Sequence, residues 1–350
     1  MKARFKKYIL DFKRPSGTSR GVLTHKESWF IVLEADGKYG IGECGLLRGL
    51  SIDDVADYED LLQWTCEHIH LGEALLWQKL GAYPSIQFGV EQAFLSLRSS
   101  DPFEIFPSDF TRSEVPITIN GLIWMGEKEF MLAQIREKLE SGFNCIKMKI
   151  GAVDFETELS ILKAIRQKHG ADEVQIRVDA NGAFAPKEAL GKLKLLSKLN
   201  LHSIEQPIKQ GQIIEMAKLC STTPLPIALD EELIGIGNVT DKEKLLLTVR
   251  PQYIILKPSL VGGFKGCTEW IVLAKKHRIG WWITSALESN IGLNAIAQFT
   301  FGLRNALPQG LGTGALYTNN FECPLTEENG KLYYKSDKIW KSNLIQELCT

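Results

Sequence analysis

The chain has no long apolar run, no excess of either charge and no ordered cysteine pattern, and each absence removes a class of protein. No stretch of its 350 residues approaches the roughly 18 consecutive apolar residues of a membrane-spanning helix. The apolar run Tyr8-Ile9-Leu10 is cut by Asp11, too short for the core of a signal peptide. With 41 Lys and Arg against 42 Asp and Glu, a net charge of −1, the composition offers no basic surface for nucleic acid or an anionic membrane. Seven cysteines, an odd number without Cys-x-x-Cys spacing, indicate neither a disulfide framework nor a zinc knot. The expectation is a cytoplasmic protein with reduced, mostly buried thiols and a small-molecule ligand, its oligomeric state open.

What is present divides into two grammars. In residues 1 to about 45, Trp29-Phe30-Ile31-Val32-Leu33 and Tyr39-Gly40-Ile41-Gly42 flank the turn Asp36-Gly37-Lys38 as two strands of a hairpin. Helical segments follow at 52–76 and 86–100, the first carrying Asp53, Asp54 and Asp57 near its start, where the helix dipole favours negative charge. Strands and helices in separate blocks predict an α+β domain over residues 1–112. From Val115 strands and helices alternate. Candidate strands end near Asn120, Lys149, Asp179, Glu205, Asp230, Lys257, Thr284 and Gly310, with amphipathic segments such as 155–169, 186–199 and 263–278 between them. Eight such units over residues 113–317 predict an α/β protein built on a (β/α)8 barrel. The tail, 318–350, contains the β-like Gly330-Lys331-Leu332-Tyr333-Tyr334 and is expected to return to the N-terminal domain. No low-complexity linker separates the two, so they should pack closely.

Five strand ends carry a chemical group: Lys149, Asp179, Glu205, Asp230 and Lys257, at intervals of 30, 26, 25 and 27 residues. If the strands close in chain order, the three carboxylates stand side by side on strands three, four and five. They would repel one another unless a cation neutralises them, and an all-oxygen ligand set suits Mg2+, with Mn2+ as a substitute. The lysines, on strands two and six, face each other across the ring. Lys147 lies two residues before Lys149, so both side chains point the same way and each is expected to depress the other's pKa. That arrangement suits removal of a proton α to a carboxylate, one lysine taking the proton while the other and the metal stabilise the enediolate. Alone, a strand-end Asp, Glu or Lys is more often a cap or part of an ion pair; Lys147 in particular is read either as pairing with a barrel carboxylate or as support for Lys149. Glu231 is either a neighbour of the metal ligands or an extra ligand. Gly262-Gly263 and Gly312-Thr313-Gly314 either cradle an anion or make turns, and His68 and His70 are read as exposed.

At Lys147-Met148-Lys149, Val178-Asp179-Ala180-Asn181, Ile204-Glu205-Gln206-Pro207, Leu229-Asp230-Glu231 and Lys257-Pro258, the chain resembles the enolase superfamily, muconate lactonising enzyme subgroup. That resemblance implies a modified TIM barrel under an N-terminal capping domain, and Mg2+ held by Asp179, Glu205 and Asp230. Ile119-Asn120-Gly121-Leu122-Ile123-Trp124, Ser285-Ala286-Leu287-Glu288-Ser289-Asn290-Ile291-Gly292 and Gly310-Leu311-Gly312-Thr313-Gly314 further resemble the o-succinylbenzoate synthase family. This implies a lyase of menaquinone biosynthesis that dehydrates 2-succinyl-6-hydroxy-2,4-cyclohexadiene-1-carboxylate. By the same resemblance Lys149 is the base and then the acid, and Lys257 stays protonated. Ser285, Ala286, Leu287, Gly312, Thr313, Gly314 and Arg48 are candidate partners of the substrate's succinyl carboxylate, Arg48 lying on a loop placed to close over the barrel mouth. The alternative is racemisation of an N-succinyl amino acid or epimerisation of a dipeptide on the same site. A dipeptide epimerase would carry Asp-x-Asp where this chain has Gly312-Thr313-Gly314.

Overall fold

Two antiparallel turns of chain set the N-terminal architecture. The computed structural model describes residues 1–18 and 21–348. Strands Lys2–Thr18, Gly21–Ala35 and Lys38–Cys44 form one antiparallel sheet. Asp36 and Gly37 both adopt positive φ, 51° and 73°, the backbone a tight two-residue hairpin requires. Alternation along the middle strand serves both faces of the sheet. Trp29, Ile31 and Leu33 pack on the helices of this region, while Phe30 and Val32 pack on Trp340, Leu344 and Ile345 of the tail. Helix Pro84–Arg98 lies so close to the sheet that a Cβ on Gly42 would stand 1.9 Å from the Gly89 carbonyl oxygen.

The helical stretch expected at 52–76 is broken. It resolves into Tyr58–Glu67, a single turn Ile69–Leu71 and Glu73–Lys79, because Gly72 at φ 79° leaves the helical region. Neither Asp53 nor Asp54 starts a helix there. Asp53, fully buried, accepts from the Ser85 amide at 2.9 Å and the Ser85 hydroxyl at 2.5 Å, at the start of the later helix Pro84–Arg98.

The barrel strands run Gly121–Ile123, Cys145–Lys149, Gln175–Asp179, Ser203–Glu205, Ile227–Leu229, Tyr253–Leu256 and Gly280–Ile283, each hydrogen-bonded to the next in chain order. The eighth is minimal. Gln309 bridges to Ile119 and Gly310 to Thr284, both parallel, and these contacts close the ring. The expected amphipathic segments form helices Phe155–Lys168, Pro186–Ser197 and Gly263–Lys276. In the tail, Lys331–Tyr334 pairs with Leu325–Glu328 and with Ile117–Thr118, so this hairpin continues the foot of the barrel's first strand. The segments on either side, around Phe321 and 340–348, lie against the N-terminal sheet; residues 349 and 350 of the expected return segment lie outside the described residues. Among the described residues no helix is long and apolar enough to cross a membrane, and six cysteines are free, five of them buried.

Two buried acids of the N-terminal region anchor it to the barrel. Glu43 accepts from the Ser28 and Ser289 hydroxyls at 2.7 and 2.6 Å and from the Ser289 and Gly292 amides, each at 2.9 Å. Glu91 accepts from the amides of Phe264 and Lys265 at 2.6 and 3.0 Å, capping helix Gly263–Lys276. The Gly262-Gly263 turn therefore does cradle an acidic group, but it is the chain's own Glu91 carboxyl.

Burial pushes the Glu91 carboxyl up to about 8, against the lowering effect of those two amides. The folded chain then binds this proton more tightly than the unfolded one. The associated stability is complete below the ordinary carboxylate range and is lost as pH rises toward 8. Glu91→Gln, which cannot titrate, is expected to flatten the fall in urea midpoint between pH 5 and pH 8.5; a pH slope identical to wild type would refute this.

Candidate active site

The carboxyl ends of the strands open into a cleft lined by both regions of the chain, the usual setting of a small-molecule site. Leu23, Leu47 and Leu50 from the N-terminal region, with Leu122, Trp124 and Leu287 from the barrel, give it apolar walls. Its floor is charged. Strand register brings Lys149 beside Asp179 and Asp179 beside Glu205; Asp230 and Lys257 each follow directly on their strands. Parallel strands in chain order thus convert the regular spacing of these residues into one ring of groups.

Within that ring the lysines are interleaved with the acids. Lys147 Nζ stands 3.0 Å from Asp179 Oδ2 and 2.6 Å from Glu205 Oε2. Lys149 Nζ is 3.4 Å from the same Asp179 oxygen, and Lys257 Nζ is 2.5 Å from Asp230 Oδ2. All three carboxylates are at least 97% buried. Burial alone would lower the pKa of Lys147, but Asp179, Glu205 and Asp230 outweigh it and hold the ammonium well above its ordinary value. The expectation that Lys149 would depress Lys147 is corrected on that ground: three anions near Lys147 exceed one cation. Lys257 is likewise raised, burial being overcome by Asp230 and Glu205. Burial would raise Asp179, yet Lys147, Lys149 and Lys257 hold its carboxyl far below the usual range.

With ammonium groups among them, no three acids stand gathered as a ready ligand cluster among the described residues. The donor set nevertheless fits a hard divalent cation: three adjacent, buried, all-oxygen side chains, of which Glu205 Oε1 is buried without any hydrogen-bond partner. Such an oxygen is costly to leave bare. Asn181 is a neutral tether in the ring: Lys149 Nζ donates to Asn181 Oδ1 at 2.8 Å and Asn181 Nδ2 donates to Glu231 Oε1 at 3.0 Å. Glu231 therefore reaches Lys149 through an amide. Asn181, at φ 43°, lay inside the motif Val178-Asp179-Ala180-Asn181 but was not among the expected site residues.

The remaining candidates separate. Arg48 lines the cleft, but its guanidinium is engaged by Glu27 at 2.7 Å and Asp54 at 2.6 Å, and Asp54 also accepts from the Gly49 amide at 2.7 Å. It clasps its own loop instead of offering a free cation. The amides of the Ser285 loop are also committed: Ser285 donates to Gly310 O, Ala286 to Glu288 Oε2 and Leu287 to Ser285 Oγ. Leu287 is held at φ 66°, its carbonyl accepting from the Tyr317 hydroxyl at 2.7 Å. A non-glycine residue in that region costs about 1–3 kcal/mol, and here it turns the side chain into the cleft wall. Gly312 and Thr313 line the cleft. Among the described residues the amides of 312, 313 and 314 have no protein acceptor. His68 stacks on Trp64 with ring centroids 4.4 Å apart, and its Nδ1 lies 2.8 Å from the Trp64 carbonyl, away from the cleft.

Comparison with known proteins extends this geometry. Residues 131–336 match the family model described as enolase C-terminal domain-like. An o-succinylbenzoate synthase from Desulfotalea psychrophila is 48% identical over 95% of this chain and 98% of that one. The crystal structure of MenC from D. psychrophila LSv54 superposes with a TM-score of 0.85 at 44% identity, covering 95% of this chain and 99% of that one. A substrate-liganded L-Ala-D/L-Glu epimerase from Bacillus subtilis shares the fold, with a TM-score of 0.82 at 20% identity over 97% of this chain and 98% of that one.

Proposed function

The chain belongs to the enolase superfamily, and from that premise we propose that it acts as an o-succinylbenzoate synthase, a carbon–oxygen lyase working on a small carboxylate. The observation that carries the reading is the 48% identity over 95% of the chain, which includes the N-terminal region that forms part of the cleft wall. The cleft agrees with it: charged at the floor where an enolate would form, apolar above it where a six-membered ring would lie, and without an acid at 312–314 to receive an ammonium group.

In this reading Asp179, Glu205 and Asp230 hold Mg2+. When bound, the ion supplies positive charge to the substrate carboxylate and lowers the cost of the enediolate. Lys149, deprotonated, removes the proton from the ring carbon bearing the carboxylate. The electron pair left behind becomes a ring double bond as the adjacent carbon–hydroxyl bond breaks, and Lys149 returns its proton to the departing oxygen as water. Lys257, kept protonated by Asp230, stabilises the developing negative charge from the opposite face. Asn181 orients Lys149. The cleft's leucines and Trp124 exclude water from the ring, and the loop clasped by Arg48 forms part of that cover.

The rival is racemisation of an N-succinyl amino acid, because two opposed lysines also suit two-base chemistry. A paired assay on one Mg2+-loaded sample decides between them. Dehydration of the cyclohexadiene carboxylate is expected to exceed racemisation of N-succinyl amino acids in kcat/KM. Dominant racemisation would overturn the choice of substrate while leaving the enolate chemistry in place.

A further inference from the structure

Asn120 is a polar side chain of the cleft that has no role in this chemistry. Asn120 is 4% exposed and lines the cleft, and its Oδ1 is buried with no hydrogen-bond partner. Among the described residues no protein acceptor takes its amide nitrogen either. The oxygen is an acceptor closed off from the cleft, whereas the nitrogen is a donor without an acceptor, and a donor left so calls for an acceptor from outside the protein. Its place in the barrel narrows what that is. Ile119 bridges to Gln309 and Gly310 bridges to Thr284, so by the same register Asn120 lies beside Gly310 at the seam between strands one and eight. Gly310 puts no side chain between them, and a Cβ there would strike Thr284 Oγ1 at 2.5 Å. Asn120 thus borders the wall made by Gly312 and Thr313, away from the strands that carry Asp179 and Glu205.

We propose that the Asn120 amide is a specificity-determining contact that donates to a neutral carbonyl oxygen of the substrate, the ketone joining the ring to the distal carboxylate. This rests on the dehydratase reading above. That substrate has two anionic ends and one neutral acyl oxygen between them. The ring carboxylate belongs with the acids and lysines of the floor, and the unpaired amides of 312–314 suit the distal carboxylate. A neutral amide supplies no net charge to balance an anion, but it matches a ketone in both polarity and size. Asn120, next to the 312–314 turn and opening on the same cleft, is the group placed to meet the oxygen between the two ends. Under the rival activity the same contact would meet the amide carbonyl of an N-succinyl group.

The test is binding, measured by calorimetry on the Mg2+-loaded protein with two ligands: o-succinylbenzoate, and 2-(3-carboxypropyl)benzoate, in which a methylene replaces the ketone. Wild type is expected to bind the ketone roughly tenfold more tightly than the methylene compound. Asn120→Ala is expected to lose that preference, binding the methylene compound about as well as wild type does. Asn120→Asp has nearly the same volume, removes the donor and serves if the alanine variant does not fold; it too should lose the preference. An unchanged preference in either folded variant, or none in wild type, overturns the Asn120 assignment alone. Failure of wild type to bind either ligand overturns the dehydratase reading and this assignment with it.

Discussion

Alanine in place of Lys149 is expected to lower kcat for dehydration by about 10⁴-fold with little change in KM or in the unfolding midpoint. Three ammonium groups reach the floor of the cleft, and their surroundings differ. Lys147 is locked between two carboxylates at 3.0 and 2.6 Å, and Lys257 is held by Asp230 at 2.5 Å. Lys149 instead bonds a neutral amide at 2.8 Å and touches Asp179 only at 3.4 Å. It is the lysine of the three least engaged by anions, and the role of base falls to it on that geometry. Because both proton transfers pass through this one residue, its loss should remove both at once. Stability should hardly change, since Asp179 keeps its bond to Lys147. Lys149→Arg separates charge from proton transfer: it retains the cation but cannot act as a base near neutral pH, so it should be as inactive as the alanine variant. Retention of more than a tenth of wild-type kcat by Lys149→Arg would remove Lys149 from the proton-transfer role.

The parts of this molecule that could be read from sequence are those encoded by local period. A strand and a helix repeat every 25 to 30 residues, and each repeat ends in a group that the parallel register of the strands delivers to a common ring; Lys149, Asp179, Glu205, Asp230 and Lys257 were legible for that reason. The hairpin turn at Asp36-Gly37 was legible because two consecutive positive φ values favour those residue types. What escaped depends on partners distant in sequence. The acidic group at Gly262-Gly263 is Glu91, 173 residues from Phe264, and no spacing rule connects them. Asp53 and Asp54 resemble helix starters, yet one caps the start of the distant helix Pro84–Arg98 and the other grips Arg48. The Ser285-Ala286-Leu287 amides suit an anion equally well in sequence; only the fold shows them already spent on Gly310, Glu288 and Ser285. Asn181 and Asn120 were written inside motifs, but an asparagine's role lies in what its amide faces, and that is a tertiary fact.

Lys147→Met is expected to destabilise the metal-free protein by about 3–5 kcal/mol and, unlike most core substitutions, to be largely rescued by Mg2+. The methionine keeps the apolar stem of the lysine and removes only the charge. Asp179 and Glu205 would then remain buried side by side without the ammonium that bridges them, and Glu205 Oε1 already has no partner. Removing one member of a buried ion network leaves uncompensated charge, which is the expensive case. A divalent cation held by the same carboxylates replaces what was lost. Mg2+ at about 100 times its dissociation constant adds roughly 2.7 kcal/mol to a folded state that alone binds it. Affinity should itself rise in the variant, because a positive charge beside the ion has gone. Thermal unfolding with EDTA and with Mg2+, alongside calorimetric titration of Mg2+, reads both effects. A metal-free variant as stable as wild type would mean that Lys147 is not the counterion of the acids. Destabilisation that Mg2+ fails to relieve would place the ion somewhere other than Asp179, Glu205 and Asp230.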